Sequence, residues 1–136
     1  MPSALDVAKK LLASFVSQDI DAALSVMAEN IVIHAPYSPP DIPLPKSIHG
    51  KQAVAEMLRV MFGASEKFEL FDIDLHTTDN PELIFGTGHS RAMMKNGQAY
   101  GNHYVYVFYI RDGKIFDYYE YFDSHVASQG FSFAKV

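Results

Sequence analysis

The C-terminal run Tyr118-Tyr119-Glu120-Tyr121-Phe122 sets a carboxylate among aromatic rings. On an apolar strand face such a side chain is stripped of water and its pKa rises, which suits a general acid or base near neutral pH. The alternatives for Glu120 are a place in water at the sheet's rim, or an ion pair with Arg91. His34 is the second candidate: it ends the β-branched run Ile31-Val32-Ile33 and stands just before a proline-rich stretch. A histidine there is either an acid/base partner or a hydrogen-bonded structural residue. His89 and Arg91 alternate along one strand and point inward or outward according to the turn at Asn96-Gly97. His49, at a helix entry, and His76 and His125, near strand ends, read as structural.

Several chemistries are absent from the sequence. There is no cysteine, which rules out disulfides, thiolate nucleophiles and Cys-ligated zinc. The six histidines show no metal-ligand spacing and no HExxH, so no metal is expected. No glycine-rich phosphate loop and no GxSxG occur. A net charge of −5 argues against nucleic acid, whose phosphates call for a Lys/Arg surplus. No apolar run is long enough to span a membrane. The start Met1-Pro2-Ser3-Ala4-Leu5-Asp6 lacks the pattern of a signal peptide, so the expected location is cytoplasmic.

The elements that must position these residues follow from hydrophobic periodicity. Leu5, Ala8, Leu12 and Phe15 predict a helix over 3–17, with Ser3 and Asp6 at its N-terminus. A short second helix runs through Ala22, Leu24, Met27 and Ala28, and a strand covers 31–35. Prolines 36, 39, 40, 43 and 45 then forbid helix and inner strand. That segment, which includes Tyr37, reads as a stiff loop at a pocket mouth rather than a domain linker. After Gly50 a third helix reaches Phe62, with Ala53, Val54, Met57, Leu58 and Met61 on one stripe and Gly63 at its end. Strands follow over 68–77 (with a bulge between Leu70 and Phe71), 83–94, 98–110 and 114–123, with hairpins at Asn96-Gly97 and Asp112-Gly113. Helices followed by a strand meander predict an α+β fold in which N-terminal helices pack on the concave face of a curved, mainly antiparallel sheet. The whole of 1–136 reads as one domain.

The last hairpin fixes which side chains share a face. With Arg111-Asp112-Gly113 as a three-residue loop, Tyr106 opposes Tyr118, Tyr104 opposes Glu120 and Asn102 opposes Phe122. One face then holds Asn102, Tyr104, Tyr106, Phe108, Phe116, Tyr118, Glu120 and Phe122. The other holds His103, Val105, Val107, Tyr109, Ile115, Asp117, Tyr119, Tyr121 and Asp123. A two-residue turn would mix the sets. The first set has the makings of a ligand cavity, with aromatic walls and a few polar groups. The second is too apolar to face water, which predicts a homodimer through the outer sheet face.

The order and spacing of several pieces resemble the nuclear-transport-factor-2-like superfamily, and within it the SnoaL-like and ketosteroid-isomerase-like proteins. These pieces are Ala28-Glu29-Asn30-Ile31-Val32-Ile33-His34, Ile48-His49-Gly50-Lys51-Gln52-Ala53, Asn102-His103-Tyr104-Val105-Tyr106-Val107-Phe108, Asp112-Gly113-Lys114-Ile115 and Glu120-Tyr121-Phe122-Asp123. The resemblance covers nearly the whole chain. It implies the cone-shaped fold of that superfamily but not one activity, since the fold hosts isomerases, dehydratases, cyclases, epoxide hydrolases and binders.

Steroid isomerases carry a base carboxylate just before the proline after the first strand, where this chain has Ala35. Their helix tyrosine falls near Leu11 and their oxyanion-stabilising acid near Asn102 or His103, so the resemblance does not extend to steroid isomerisation. The epoxide-hydrolase type needs an Asp-Arg-Asp relay, and no Asp lies two residues from Arg91. Phenazine-biosynthesis A/B type proteins are nearer, sharing an Asn-His pair matched by Asn102-His103 and a glutamate matched by Glu120. Likeness to them, or to SnoaL-type cyclases, implies cofactor-free acid–base work on a small hydrophobic carbonyl compound. Glu120 and His34 would be catalytic. Asn102, Tyr104, Tyr106, Tyr118, Phe122, His89, Arg91 and Tyr37 would bind substrate, with Asn102 and Tyr104 orienting its oxygen. The alternative is a non-catalytic ligand-binding or accessory protein of the same fold, and a third reading is a protein-interaction module.

Overall fold

A computed structural model describes residues 2–134. Helix α1 (Ala4–Ser17) begins where Ser3 accepts a hydrogen bond from the Asp6 amide at 3.1 Å, and it buries Val7, Ala8, Leu11 and Leu12. Gln18 closes it in the left-handed conformation, φ 55°. Asp19 caps α2 (Ile20–Ser25) by accepting from Ala22 N at 3.0 Å. That helix is shorter than its periodicity suggests. Ser25 Oγ donates to Ala22 O at 2.6 Å, and strand β1 (Met27–His34) already claims Met27, which pairs with Ile115. Met27 and Ala28 therefore belong to a strand, not to the second helix.

After the proline segment, strand β2 (Ser47–His49) pairs antiparallel with β1. Gly50 makes the entry to α3 (Lys51–Gly63) with φ 86°, a conformation glycine adopts without steric cost. The sheet continues through β3 (Ser65–Thr77), β4 (Leu83–Met94), β5 (Ala99–Tyr100), β6 (His103–Arg111) and β7 (Lys114–Phe122). Its order is β2-β1-β7-β6-β4-β3, with β5 added to β4. Only the β1–β7 pairing is parallel. The result is the expected α+β architecture, with helices on the concave side of a curved, mainly antiparallel sheet.

The strand alternation is clear in β4. Ile84, Gly86, Gly88, Ser90, Ala92 and Met94 are buried, and their neighbours turn outward. The irregularity in β3 falls between Phe71 and Asp74, with Asp72 at φ 52°, rather than between Leu70 and Phe71. It brings the β3 backbone down on Gly86, where an added Cβ would lie 2.2 Å from Asp74 O. The long strand expected over 98–110 is broken at Gly101-Asn102 into β5 and β6.

The last hairpin differs from expectation in two compensating ways. Arg111 pairs with Lys114, so the loop is Asp112-Gly113 alone, both residues at positive φ as a type I′ turn requires. The ladder then slips between Ile110↔Ile115 and Tyr109↔Asp117, leaving Phe116 as a bulge. Each change moves the register by one, and together they restore the faces beyond the bulge. Tyr118, Glu120 and Phe122 share the inner face with Tyr104, Tyr106 and Phe108, but Glu120 opposes Tyr106, and Phe122 opposes Tyr104. Between turn and bulge the faces are exchanged. Ile115 is fully buried, whereas Phe116 lies outside with the Arg111 guanidinium 4.7 Å above its ring.

A final helix, α4 (Ser124–Phe131), was not evident from periodicity. Asp123, expected to end the last strand, is its N-cap and accepts from His125 N and Val126 N at 3.0 and 3.1 Å.

Candidate functional site

The concave face of the sheet and the helices above it enclose a cavity. Tyr100, Tyr104, Tyr106, Tyr118, Glu120 and Phe122 form its sheet wall. Phe15 of α1 and Met57, Leu58, Met61 and Phe62 of α3 form the opposite wall. Ile42 and Leu44 of the proline segment and Phe131 of α4 close it further, so that segment lies at the cavity rather than projecting away. The segment is held down by Ser38 Oγ donating to Leu44 O, by Lys46 Nζ on Pro36 O and Ser38 O at 3.2 and 3.0 Å, and by Ser128 Oγ donating to Asp41. Gly130 lets α4 approach the Tyr100 ring, where a Cβ would sit 2.3 Å away. The cavity volume is about 100 Å³, which suits several waters or a small ring compound, one water needing roughly 10–15 Å³.

Among the described residues, Glu120 is the only charged side chain on this lining. Its side chain is half-buried on that lining. Burial pushes its pKa up to about 7, and the hydrogen bond from Tyr118 Oη to Oε1, 2.8 Å, opposes this only in part. Burial raises the surrounding phenols as well: Tyr100 to about 12, and Tyr104, Tyr106 and Tyr118 upward, each pushed further by the Glu120 charge. The tyrosines therefore stay protonated while Glu120 titrates near neutral pH, and the polar equipment of the cavity is one acid/base within a ring of hydroxyl donors.

Tyr104, Tyr106, Tyr118, Phe122 and Glu120 come together as the hairpin reading expects. Asn102 is buried nearby but does not line the cavity. Its Nδ2 donates to Tyr100 Oη (2.9 Å) and Asp123 O (3.0 Å), and its Oδ1 accepts from His103 N (2.8 Å) and Asp123 N (3.0 Å). It staples the start of β6 to the end of β7 and has no capacity left for a substrate oxygen.

His34 lies on the other side of the sheet. Ile33 faces the cavity, so its neighbour faces out. His34 Nε2 meets Asp117 Oδ1 at 2.7 Å, and the ring stacks on Tyr119 with centroids 4.2 Å apart. No contact joins it to Glu120. His89 also faces outward, against Phe71 and His103 (centroids 5.3 and 3.7 Å). Arg91 sits over Phe71 at 4.8 Å with Glu69 at 3.8 Å, which leaves no Arg91–Glu120 pair. Tyr37 is 64% exposed beside Tyr121 on the outside.

Three polar cavity groups escaped the sequence reading: Tyr100, Gln18 and Ser65. Gln18 Nε2 donates to Ser65 Oγ at 2.8 Å. Tyr100 was hidden by the strand break at Gly101, and Gln18 by its place at a helix end. Among the described residues no group of three His, Asp or Glu side chains is placed to hold a metal ion.

A family model described as the SnoaL-like domain matches residues 8–118. The chain belongs to this family. Among solved structures, a candidate isomerase from Bacillus subtilis superposes with a TM-score of 0.84 at 21% identity, covering 93% of this chain and 91% of that one. A candidate polyketide cyclase from Xanthomonas campestris gives 0.80 at 20% identity, with 93% and 95% covered. A phenazine biosynthesis-related protein from Pseudomonas aeruginosa gives 0.72 at 19% identity, with 95% and 89% covered. At these identities the likeness concerns the SnoaL-like fold. No curated protein matches the chain.

Proposed function

We propose that this SnoaL-like protein is a cofactor-independent isomerase, cyclase or dehydratase that moves a proton on a small, hydrophobic, carbonyl-bearing compound, with Glu120 as general acid and base. The observation that carries the reading is a lone carboxylate on an aromatic wall, held by burial at a pKa of about 7. At that value both protonation states are populated at neutral pH, which is the condition for taking a proton and giving it back. Among the described residues no Lys, Arg or His lines the cavity, which disfavours anionic substrates. The cyclase and isomerase descriptions of its structural relatives agree with this class of chemistry.

Glu120→Gln keeps the side-chain shape and an acceptor for Tyr118 but removes the ionisable proton. Turnover of a small hydrophobic carbonyl substrate is expected to fall roughly 10²–10⁴-fold, with affinity largely kept. Full turnover by the variant would end the assignment. A second reading, a binding or accessory protein, is favoured by one observation: no histidine or second carboxylate joins Glu120 on the lining. In that case Glu120→Gln alters affinity modestly and nothing else.

Two further parts of the reading concern the whole protein. The outer sheet face exposes Phe85, Met93 and Val105, which supports a homodimer formed through it. No helix among the described residues is long and apolar enough to cross a membrane, and a cytoplasmic site of action fits that.

A further inference from the structure

We propose that Tyr106 is the hydroxyl that binds the substrate's carbonyl oxygen beside Glu120. The inference rests on the acid/base role proposed for Glu120. It assigns to Tyr106 a task that the residue pattern gave to Asn102 and Tyr104.

The assignment comes from following every hydroxyl hydrogen on the sheet wall. Tyr118 donates its own to Glu120 Oε1. Tyr100, Tyr104 and Ser90 are joined by two bonds, Tyr100 Oη to Tyr104 Oη at 3.3 Å and Tyr104 Oη to Ser90 Oγ at 2.9 Å. Run in one direction throughout, that chain uses the Tyr104 hydrogen and leaves the spare one at the Tyr100 or the Ser90 end; with both neighbours donating to Tyr104, the spare hydrogen is that of Tyr104, whose oxygen is then bonded on two sides. Asn102 is consumed as described above. Tyr106 is different: its hydroxyl has no hydrogen-bond partner among the described residues.

Yet Tyr106 is 1% exposed, and no buried side-chain oxygen or nitrogen among the described residues is left both sealed and unpaired. Its hydroxyl therefore opens into the cavity, where a ligand or water can meet it. The ring is held in place from both sides. It stacks on Tyr104 with centroids 5.5 Å apart and packs over Gly88, where an added Cβ would come within 3.1 Å of the ring. Across the ladder its direct partner is Glu120. Directly opposed residues carry their Cβ atoms roughly 4.5–5.5 Å apart, so the two side chains leave neighbouring points of one face, and the Glu120 charge raises the pKa of the Tyr106 phenol.

The chemistry balances without a co-reactant. The Glu120 carboxylate takes a proton from the carbon beside a carbonyl. The C–H bond breaks, its electron pair forms the C=C of an enolate, and the carbonyl π pair moves onto oxygen. Tyr106 O–H donates a hydrogen bond to that oxygen and keeps its proton, as a phenol whose pKa burial holds high will do. Neutral Glu120 then returns the proton to the same carbon or to a conjugated one.

The probe is 1-indanone, whose ketone oxygen can only accept, compared with indane, the same shape without the oxygen. The wild-type protein is expected to bind 1-indanone about tenfold more tightly than indane, the worth of one buried hydrogen bond. Tyr106→Phe should erase that preference while keeping indane affinity; it should also fold, because the hydroxyl removed bonds to nothing in the protein. Tyr104→Phe and Tyr100→Phe should retain the preference. With carbonyl-labelled ¹³C 1-indanone, the bound resonance should lie downfield in the wild type relative to Tyr106→Phe. Equal binding of the two probes by the wild type, including no binding of either, would overturn the proposal. So would a preference that survives Tyr106→Phe or is lost in Tyr100→Phe. Deuterium exchange at C2 of 1-indanone reads Glu120 separately. A carbonyl preference without Glu120-dependent exchange leaves the Tyr106 donor standing and sinks the acid/base reading alone.

Discussion

At the scale of single residues, Glu120 ties the candidate chemistry to a cost in stability. Its carboxyl titrates near 4.5 in the unfolded chain and near 7 in the fold. Between those values the folded state binds more protons than the unfolded one, so stability falls as pH rises through the window and levels off above it. Glu120→Gln removes the penalty and keeps an acceptor for Tyr118. The variant is therefore expected to be more stable than the wild type above pH 7, by up to about 3 kcal/mol for a shift of this size. The gain should vanish near pH 4, where both carry a neutral side chain. Urea melts at both values check this; a variant less stable than wild type at pH 8 would mean that the charged form is favoured by something other than the Tyr118 hydrogen bond.

At the scale of elements, the sheet depends on two irregularities, and the sequence signalled them unequally. Asp112-Gly113 announced a tight turn, but no residue type marks Phe116 as a bulge, so the register could be read only modulo its parity. That was enough to put Glu120 on the inner face and not enough to name its partner as Tyr106. The position of His34 was not legible: Ile31, Val32 and Ile33 are all apolar, and only the burial of Ile31 and Ile33 in the fold shows that alternation sends His34 outward, away from the Glu120 it was expected to join. Helix α4 was not legible, because it is short, carries Gly130 within it and owes its burial to Ala127 and Phe131 meeting distant residues. The β3 irregularity makes its own prediction. Gly86→Ala would drive a methyl into the Asp74 carbonyl, which belongs to a backbone that cannot rotate away. A loss of roughly 1–3 kcal/mol or more is expected in denaturant melts. Gly97→Ala, in open space at the Asn96-Gly97 turn with φ 84°, should cost only the strain of that dihedral.

At the scale of the whole molecule, the outer face should join two copies. Val105 and Phe85 are 41% and 44% exposed on adjoining strands and face the same side. Sedimentation of the wild type at micromolar concentration is expected to show a dimer, and Val105→Lys to weaken it; a wild-type monomer would contradict this. The inner face is also a product of the whole fold. The proline segment, α1, α3, α4 and the sheet each contribute a wall around Glu120, and its pKa measures how well they jointly exclude water. The most direct measurement is therefore a pH titration of the Glu120 side-chain carboxyl carbon by ¹³C NMR, with Glu120→Gln to assign the resonance. The account predicts a midpoint near 7. A midpoint near the ordinary glutamate value of about 4.3 would mean a solvated carboxylate and contradict it.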